Sequence, residues 1–203
     1  ESDLDVFLVD YGDDAAEQDP FPVVDDFSDG NSQGDPDWAV RKGRWSVNSN
    51  GRYQSTRKRD NISLLKALAA TPYSFSVGRI EVDILLDQGS LRRSSGGVVF
   101  SHRSGSAYRF ARLRRGRVEI GQVGSIGGNR SFTRSKKINF PAGEPSSLRL
   151  DLKTNGLAQV YVADSLVLSF KFKRASAGAV GLHSILSRCD FDNVHVWDDS
   201  VFQ

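Results

Sequence analysis

The chain has 203 residues, with 27 Lys and Arg against 25 Asp and Glu for a net charge of +2, one cysteine and no methionine. That length suits one large domain burying roughly 70% of its unfolded surface. The single Cys189 excludes an internal disulfide framework and leaves the redox compartment open, and no apolar run approaches the ~18 residues of a membrane-spanning helix. The charge is unevenly spread. Residues 1–40 carry thirteen acids and no Lys or Arg, while the other 163 residues hold all 27 basic residues against 12 acids, an excess of +15. Such a split predicts an acidic appendage ahead of a basic body. The body then either meets an anionic partner or is neutralised by the appendage.

In chain order, residues 3–11 place Leu4, Phe7, Leu8 and Tyr11 at the spacing of one apolar helix face, and Gly12 follows as a stop. Residues 12–22 read as a polar linker punctuated by proline. Residues 1–22 are therefore expected to be a helix and linker, and 23–203 the folded body. The opening on Glu1 rather than methionine points to a piece of a larger modular protein. From residue 23 onward, short stretches rich in Val, Ile, Phe, Tyr and Trp alternate with Gly, Ser and Asn turns: VVDDF, WAV, RWSV, RYQS, ISLLKA, GRIEVDILL, GGVVFSH, AYRFARL, RVEIGQV, SLRLDL, LAQVYVA, SLVLSFKF, AVGLHS and CDFDNVHVWD. About a dozen strands with turn signals every 8–15 residues predict an all-β sandwich or barrel. Only the segment ALAA, 67–70, reads as a helical turn within the body. No self-similar period argues for a propeller or solenoid.

Several strands alternate cleanly. Ile80, Val82 and Ile84 face one way and Glu81 and Asp83 the other; Leu148, Leu150 and Leu152 alternate with Arg149 and Asp151, and Phe170 and Phe172 with Lys171 and Lys173. One wet and one dry face per strand predicts two antiparallel sheets packed face to face.

Two resemblances follow from these residues. ESDLDVFLVDYG is similar to the last loop ligand and helix of a dockerin-like calcium repeat, with Asp3 as that ligand and the earlier ligands missing. Residues 23–199 resemble the concanavalin A-like lectin/glucanase sandwich, in its laminin-G-like and domain-of-unknown-function-1080-like branch. The motifs that carry this are DDFSDG followed by DWAVRKGRWSVNSNGRY, GGVVFSHRSGSAYRFARL, and AGAVGLHS with CDFDNVHVWD. The resemblance implies a β-sandwich jelly roll, and it implies many functions, since one fold hosts many sites.

Laminarinase-type hydrolases of this fold carry two glutamates on one strand with an aspartate between. Glu81 and Asp83 share a face, but Leu85 and Leu86 occupy the place of the second glutamate. Outward strand polarity is the simpler reading. The keto-disaccharide hydrolase motifs of the related branch are absent, and no Cys/His cluster suggests zinc. Basic residues crowd 92–137, where Glu119 is the sole acid and Tyr108, Phe110 and Phe132 are interleaved. Arginine's planar fork suits sulfate, phosphate or carboxylate. This pattern predicts a binding face for an acidic polysaccharide through Arg103, Tyr108, Arg109, Arg112 and Arg114, with Trp38 as a sugar-stacking ring; solvated strand faces are the competing reading. No nucleic-acid motif accompanies the basic residues. Trp45 is expected in the core, as the resemblance implies, and Cys189 as a packed core residue.

The acidic opening has two readings. Sandwiches of this type hold a structural calcium where the first and last strands meet, which the resemblance maps onto Asp25, Asp26 and Asp192. Alternatively these carboxylates cap turns or pair with arginines; Asp29 to Asp37, on the loop to the next strand, are expected to form turns. The combined expectation is a non-catalytic carbohydrate-binding module of a secreted or surface bacterial protein. A hydrolase or lyase of the same fold, and an adhesion module without a sugar site, are the alternatives.

Overall fold

The computed structural model describes residues 23–34, 36–56, 60–66, 74–87, 94–126, 131–139, 143–186 and 188–199. The expected N-terminal helix and linker, the ALAA turn, Asp35, Arg92, Arg93 and Arg130 lie outside them. Sixteen strands form the described body: β1 (Val23–Asp25), β2 (Trp38–Lys42), β3 (Trp45–Val47), β4 (Tyr53–Ser55), β5 (Asn61–Leu65), β6 (Ser74–Phe75), β7 (Gly78–Leu86), β8 (Ser95–Ser104), β9 (Ala107–Arg114), β10 (Arg117–Val123), β11 (Phe132–Lys137), β12 (Ser146–Leu152), β13 (Leu157–Val162), β14 (Ser165–Lys171), β15 (Gly178–Ile185) and β16 (Cys189–Asp198). They make two antiparallel sheets. The first runs β14-β13-β12-β7-β16-β4-β3, with β1 also on β16; the second runs β11-β10-β9-β8-β15-β5-β2, with β6 also on β15. The predicted antiparallel β-sandwich is what forms.

The core lies between the sheets. Ile80, Val82 and Ile84 of β7 and Leu148, Leu150 and Leu152 of β12 point inward and are buried, as their alternation predicts. Each such side chain contributes about 1.5–3 kcal/mol when removed from water. Val98, Phe100, Ala111, Leu113, Val118 and Ile120 meet them from the second sheet. Cys189 is buried as expected, and the partly buried Trp45 packs on the core with its ring tilted against Tyr53 and Phe191. The hydroxyl of Ser184 in the second sheet donates to Ser55 in the first at 2.7 Å, so these two buried hydroxyls are paired across the layers.

Alternation is interrupted where extra residues enter. In β16, Cys189 and Phe191 face inward, then Val194 and Val196 do. Asn193, at a φ of 47°, is the residue that changes the parity, and the pairing to β7 shifts there. Ser101 in β8, at a φ of 50°, acts the same way, as does the register shift between Val40 and Lys42 in β2. Two of these three irregularities aim side chains at one place.

β6 and β11 carry no strand signal in the sequence. β6 is two residues long, too short for a periodic signal. β11, FTRSKK, is an edge strand exposed nearly throughout, so it lacks the apolar alternation of its neighbours.

Candidate functional site

A second, smaller apolar cluster lies on the outer face of the second sheet, formed by Ile62, Leu64, Val99, Tyr108, Phe110 and Ala179. Strand register aligns the residues of this face in rows. One row runs Lys42, Ile62, His183, Gly97, Arg112, Glu119 and Ser135 across β2, β5, β15, β8, β9, β10 and β11. Gly97 lets β8 and β9 approach closely between His183 and Arg112: a Cβ there would come within 2.2 Å of the Ala111 carbonyl oxygen.

Polar groups gather around Asp60, the residue leading into β5. Its Oδ1 is 2.9 Å from Nε2 of the fully buried His183, and its Oδ2 accepts from Lys42 Nζ at 2.8 Å. Lys42 also donates to the Gly105 carbonyl at 3.0 Å, and Tyr108 Oη reaches Asp60 at 3.5 Å. Burial on its own would raise the Asp60 carboxyl; hydrogen bonds and charge from His183 and Lys42 outweigh it and hold the group down at about 2. An ionised Asp60 only accepts, so His183 donates through Nε2–H and keeps Nδ1 as a base. That Nδ1 is buried and has no partner. Burial first, then the charges of Arg112 and Lys42, lowers the His183 pKa despite Asp60, so the ring is neutral.

The bulge at Ser101 turns His102 onto this outer face, where its ring stacks on Tyr108 with centroids 6.1 Å apart. The His102 Nε2 is likewise buried without a partner. Tyr108 in turn meets His183 edge-on at 5.4 Å. The Arg112 guanidinium lies 4.2 Å from the centre of the Phe110 ring and binds Glu119 Oε2 at 2.7 Å, while Arg114 binds Oε1 at 2.9 Å. Burial pushes the Glu119 carboxyl up, but Arg112 and Arg114 override it and hold the group below its usual value. The face thus offers partly exposed donors and acceptors over an aromatic bed.

The structure brings together Tyr108, Arg112 and Arg114 of the sequence-predicted ligand residues, and places Arg103 exposed near the end of β8. Two expectations are corrected. Trp38 is interior, its ring packed on Phe27 and Tyr53 and its indole N–H donated to Asp25 at 2.6 Å, so it offers no face to a sugar. Arg109 points between the sheets. Because Tyr108 and Phe110 take the outer face of β9, Arg109, Ala111 and Leu113 share the inner one. Its guanidinium is 4.1 Å from the Phe172 ring centre and donates to the Ala175 carbonyl and Ser176, while Nη2 is buried unpartnered. Burial pulls its pKa down to about 10. A buried cation held by neutral acceptors is weak support for a fold, and an apolar side chain of similar volume often serves better. Arg109→Met is expected to leave ligand retention unchanged and to raise unfolding free energy by about 1 kcal/mol, read by urea denaturation.

Asp60, His183, His102, Lys42 and Glu119 were not singled out as one site. The available signal was ionisable residues embedded in apolar strand text, such as His183 in AVGLHS. The calcium expected at Asp25, Asp26 and Asp192 meets carboxylates already engaged. Asp25 accepts from Phe27 N and Trp38, Asp26 from Ser28 N, and Asp192 from Arg52 and Asn193 N. Among the described residues no group of three or more His, Cys, Asp or Glu is arranged to hold a metal ion. On the outer face of the first sheet, Glu81 lies beside Arg79 and opposite Arg149 and His195, while Asp83 accepts from Asn193 at 2.8 Å.

No family model and no curated protein matches the chain. Solved structures do. A carbohydrate-binding module, CBM66 from Bacillus subtilis, aligns with a TM-score of 0.65 at 20% identity, covering 77% of this chain and 92% of that one. The fold is a concanavalin A-like jelly roll. The Crh5 transglycosylase aligns over 88% of this chain and 85% of its own at 11% identity and a TM-score of 0.64. The Bacillus licheniformis β-glucanase aligns over 86% and 97% at 11% identity and 0.62. Identities this low establish the jelly roll alone. The laminin-G-like branch expected from the sequence gains no support from them, and the dockerin-like segment lies outside the described residues.

Proposed function

We propose that this jelly roll is a carbohydrate-binding module of a secreted or surface protein, with its site on the outer face of the second sheet. The observation that carries the reading is the polar cluster of Lys42, Asp60, His102 and Arg112, partly exposed over Tyr108, Phe110 and His183. Hydroxyl-rich ligands need donors and acceptors fixed in place above an apolar bed, and two strand irregularities spend regular pairing to aim Lys42 and His102 at this spot. Sandwiches named for carbohydrate binding and glycan chemistry share the fold and support the reading. No catalysis is assigned, and no calcium enters the proposal.

Affinity gel electrophoresis against neutral and charged polysaccharides tests it. The chain is expected to be retained by at least one glycan without releasing reducing ends. Lys42→Ala and His102→Ala should each weaken retention about tenfold, the loss of one or two well-placed hydrogen bonds. Trp197→Ala, on the outer face of the first sheet, should leave it unchanged. Loss of retention with Trp197→Ala alone would move the site to the other sheet, and reducing ends released would replace binding by hydrolysis.

A further inference from the structure

A second cross-strand row borders the proposed site. Arg114 on β9 lies directly opposite Arg117 on β10, and Arg117 directly opposite Lys137 on β11. By register the three side chains share the outer face with Arg112 and Glu119, two residues along each strand. Strands lie about 4.8 Å apart, so directly opposed like charges repel one another and weaken the pairing. Glu119 is the only acid between residues 95 and 137, and both its oxygens are occupied by Arg112 and Arg114. Arg117 donates to the Ser135 hydroxyl at 3.0 Å, and Lys137 is exposed; no carboxylate lies on either among the described residues.

Edge protection accounts for only part of this. Lysines on an edge strand deter pairing with another sheet, which explains Arg134 and Lys136 on the opposite side of β11. It does not call for Arg117, which sits one strand in, nor for a cation directly opposite another cation. From this juxtaposition we infer that Arg117 and Lys137, with Arg114 behind them, form a subsite for a sulfate or carboxylate substituent of the bound glycan. An oxyanion between the two relieves their repulsion and meets the Arg117 fork with paired acceptors. The inference rests on the glycan-binding reading, because the row is continuous with that face. A nucleic acid fits less well, since Tyr108 and Phe110 are each only 2% exposed and offer no platform for base stacking.

The test uses the full chain with sulfated dextran, polygalacturonate and unmodified dextran as probes. Arg117→Gln/Lys137→Gln should lower affinity for one of the charged polymers about tenfold, the sulfated and carboxylated arms separating the two substituents. It should leave retention by any neutral glycan unchanged. Lys153→Gln/Lys173→Gln removes the same charge from exposed positions bordering the first sheet and should lower it less than about twofold if contact rather than net charge matters. Equal losses in the two double variants overturn the subsite and leave the glycan reading standing. Failure to retain either polyanion also overturns it. Tighter retention by a duplex oligonucleotide through Arg117 and Lys137 overturns the glycan assignment. Row-dependent polyanion binding with no effect of Lys42→Ala or His102→Ala retains the anion site and sinks the neighbouring sugar site.

Discussion

Trp38→Ala is expected to cost about 3–5 kcal/mol of stability, the range for truncating a large buried aromatic. The indole is 4% exposed and packs with Phe27 and Tyr53, whose rings are themselves stacked 5.1 Å apart. Its N–H satisfies Asp25, whose carboxyl burial pushes above the usual range even though Trp38 and Phe27 N hydrogen-bond to it. Truncation therefore opens a void and strips a half-buried carboxyl of a donor at the residue where β1 pairs with β16. The measurement is urea unfolding followed by glycan retention of the remaining folded fraction. Retention should be unchanged. Lost retention at unchanged stability would make Trp38 a sugar-stacking residue after all.

Asp60→Asn is expected to cost about 2 kcal/mol at neutral pH and to change how stability depends on acid. The carboxylate is a quarter exposed, so the loss lies below the 3–5 kcal/mol seen when a fully buried pair is broken. The sign of the pH effect follows from both partners. The folded Asp60 pKa, about 2, is below its usual 3.8, so ionised Asp60 contributes stability that is complete above 3.8 and lost as pH falls from there through about 2. The His183 pKa is lowered by burial from 6.5, so the neutral ring contributes stability present above 6.5 and lost as pH falls below it. Unfolding free energies between pH 8 and pH 2 should decline in two stages, and Asp60→Asn should shrink the lower one, to which Glu119 also contributes. His102, also lowered by burial, adds to the upper stage, and a curve flat from pH 8 to pH 5 would show that neither ring is held neutral by the fold.

These two residues show how unevenly the site was legible. Trp38 stands in DWAVRKGRW, text that reads equally as a stacking aromatic or a core one. Only the positions of Phe27 and Tyr53, eleven residues before it and fifteen after, decide that it is enclosed. Asp60, His102 and His183 are separated by 42 and 81 residues and carry no mutual spacing; β5, β8 and β15 bring them together. The arginines were visible as a group, but β9 has large apolar side chains on both faces. Alternation alone could not say that Arg109 turns inward and Arg112 outward.

What the sequence determined by itself was the kind of layer these residues build. Period-two alternation in β7 and β12, with an apolar excess on one side of each, and glycine at turns such as Gly116 admit few structures other than stacked antiparallel sheets. Those are local properties, encoded within a few residues. The tertiary structure decided which face each polar side chain reaches. That depends on a single extra residue at Ser101 or Asn193, which reverses the parity of everything after it, and on which strands lie alongside. The pairing of Arg114 with Arg117 and Lys137 depends equally on register, because charge repulsion acts between neighbours in space.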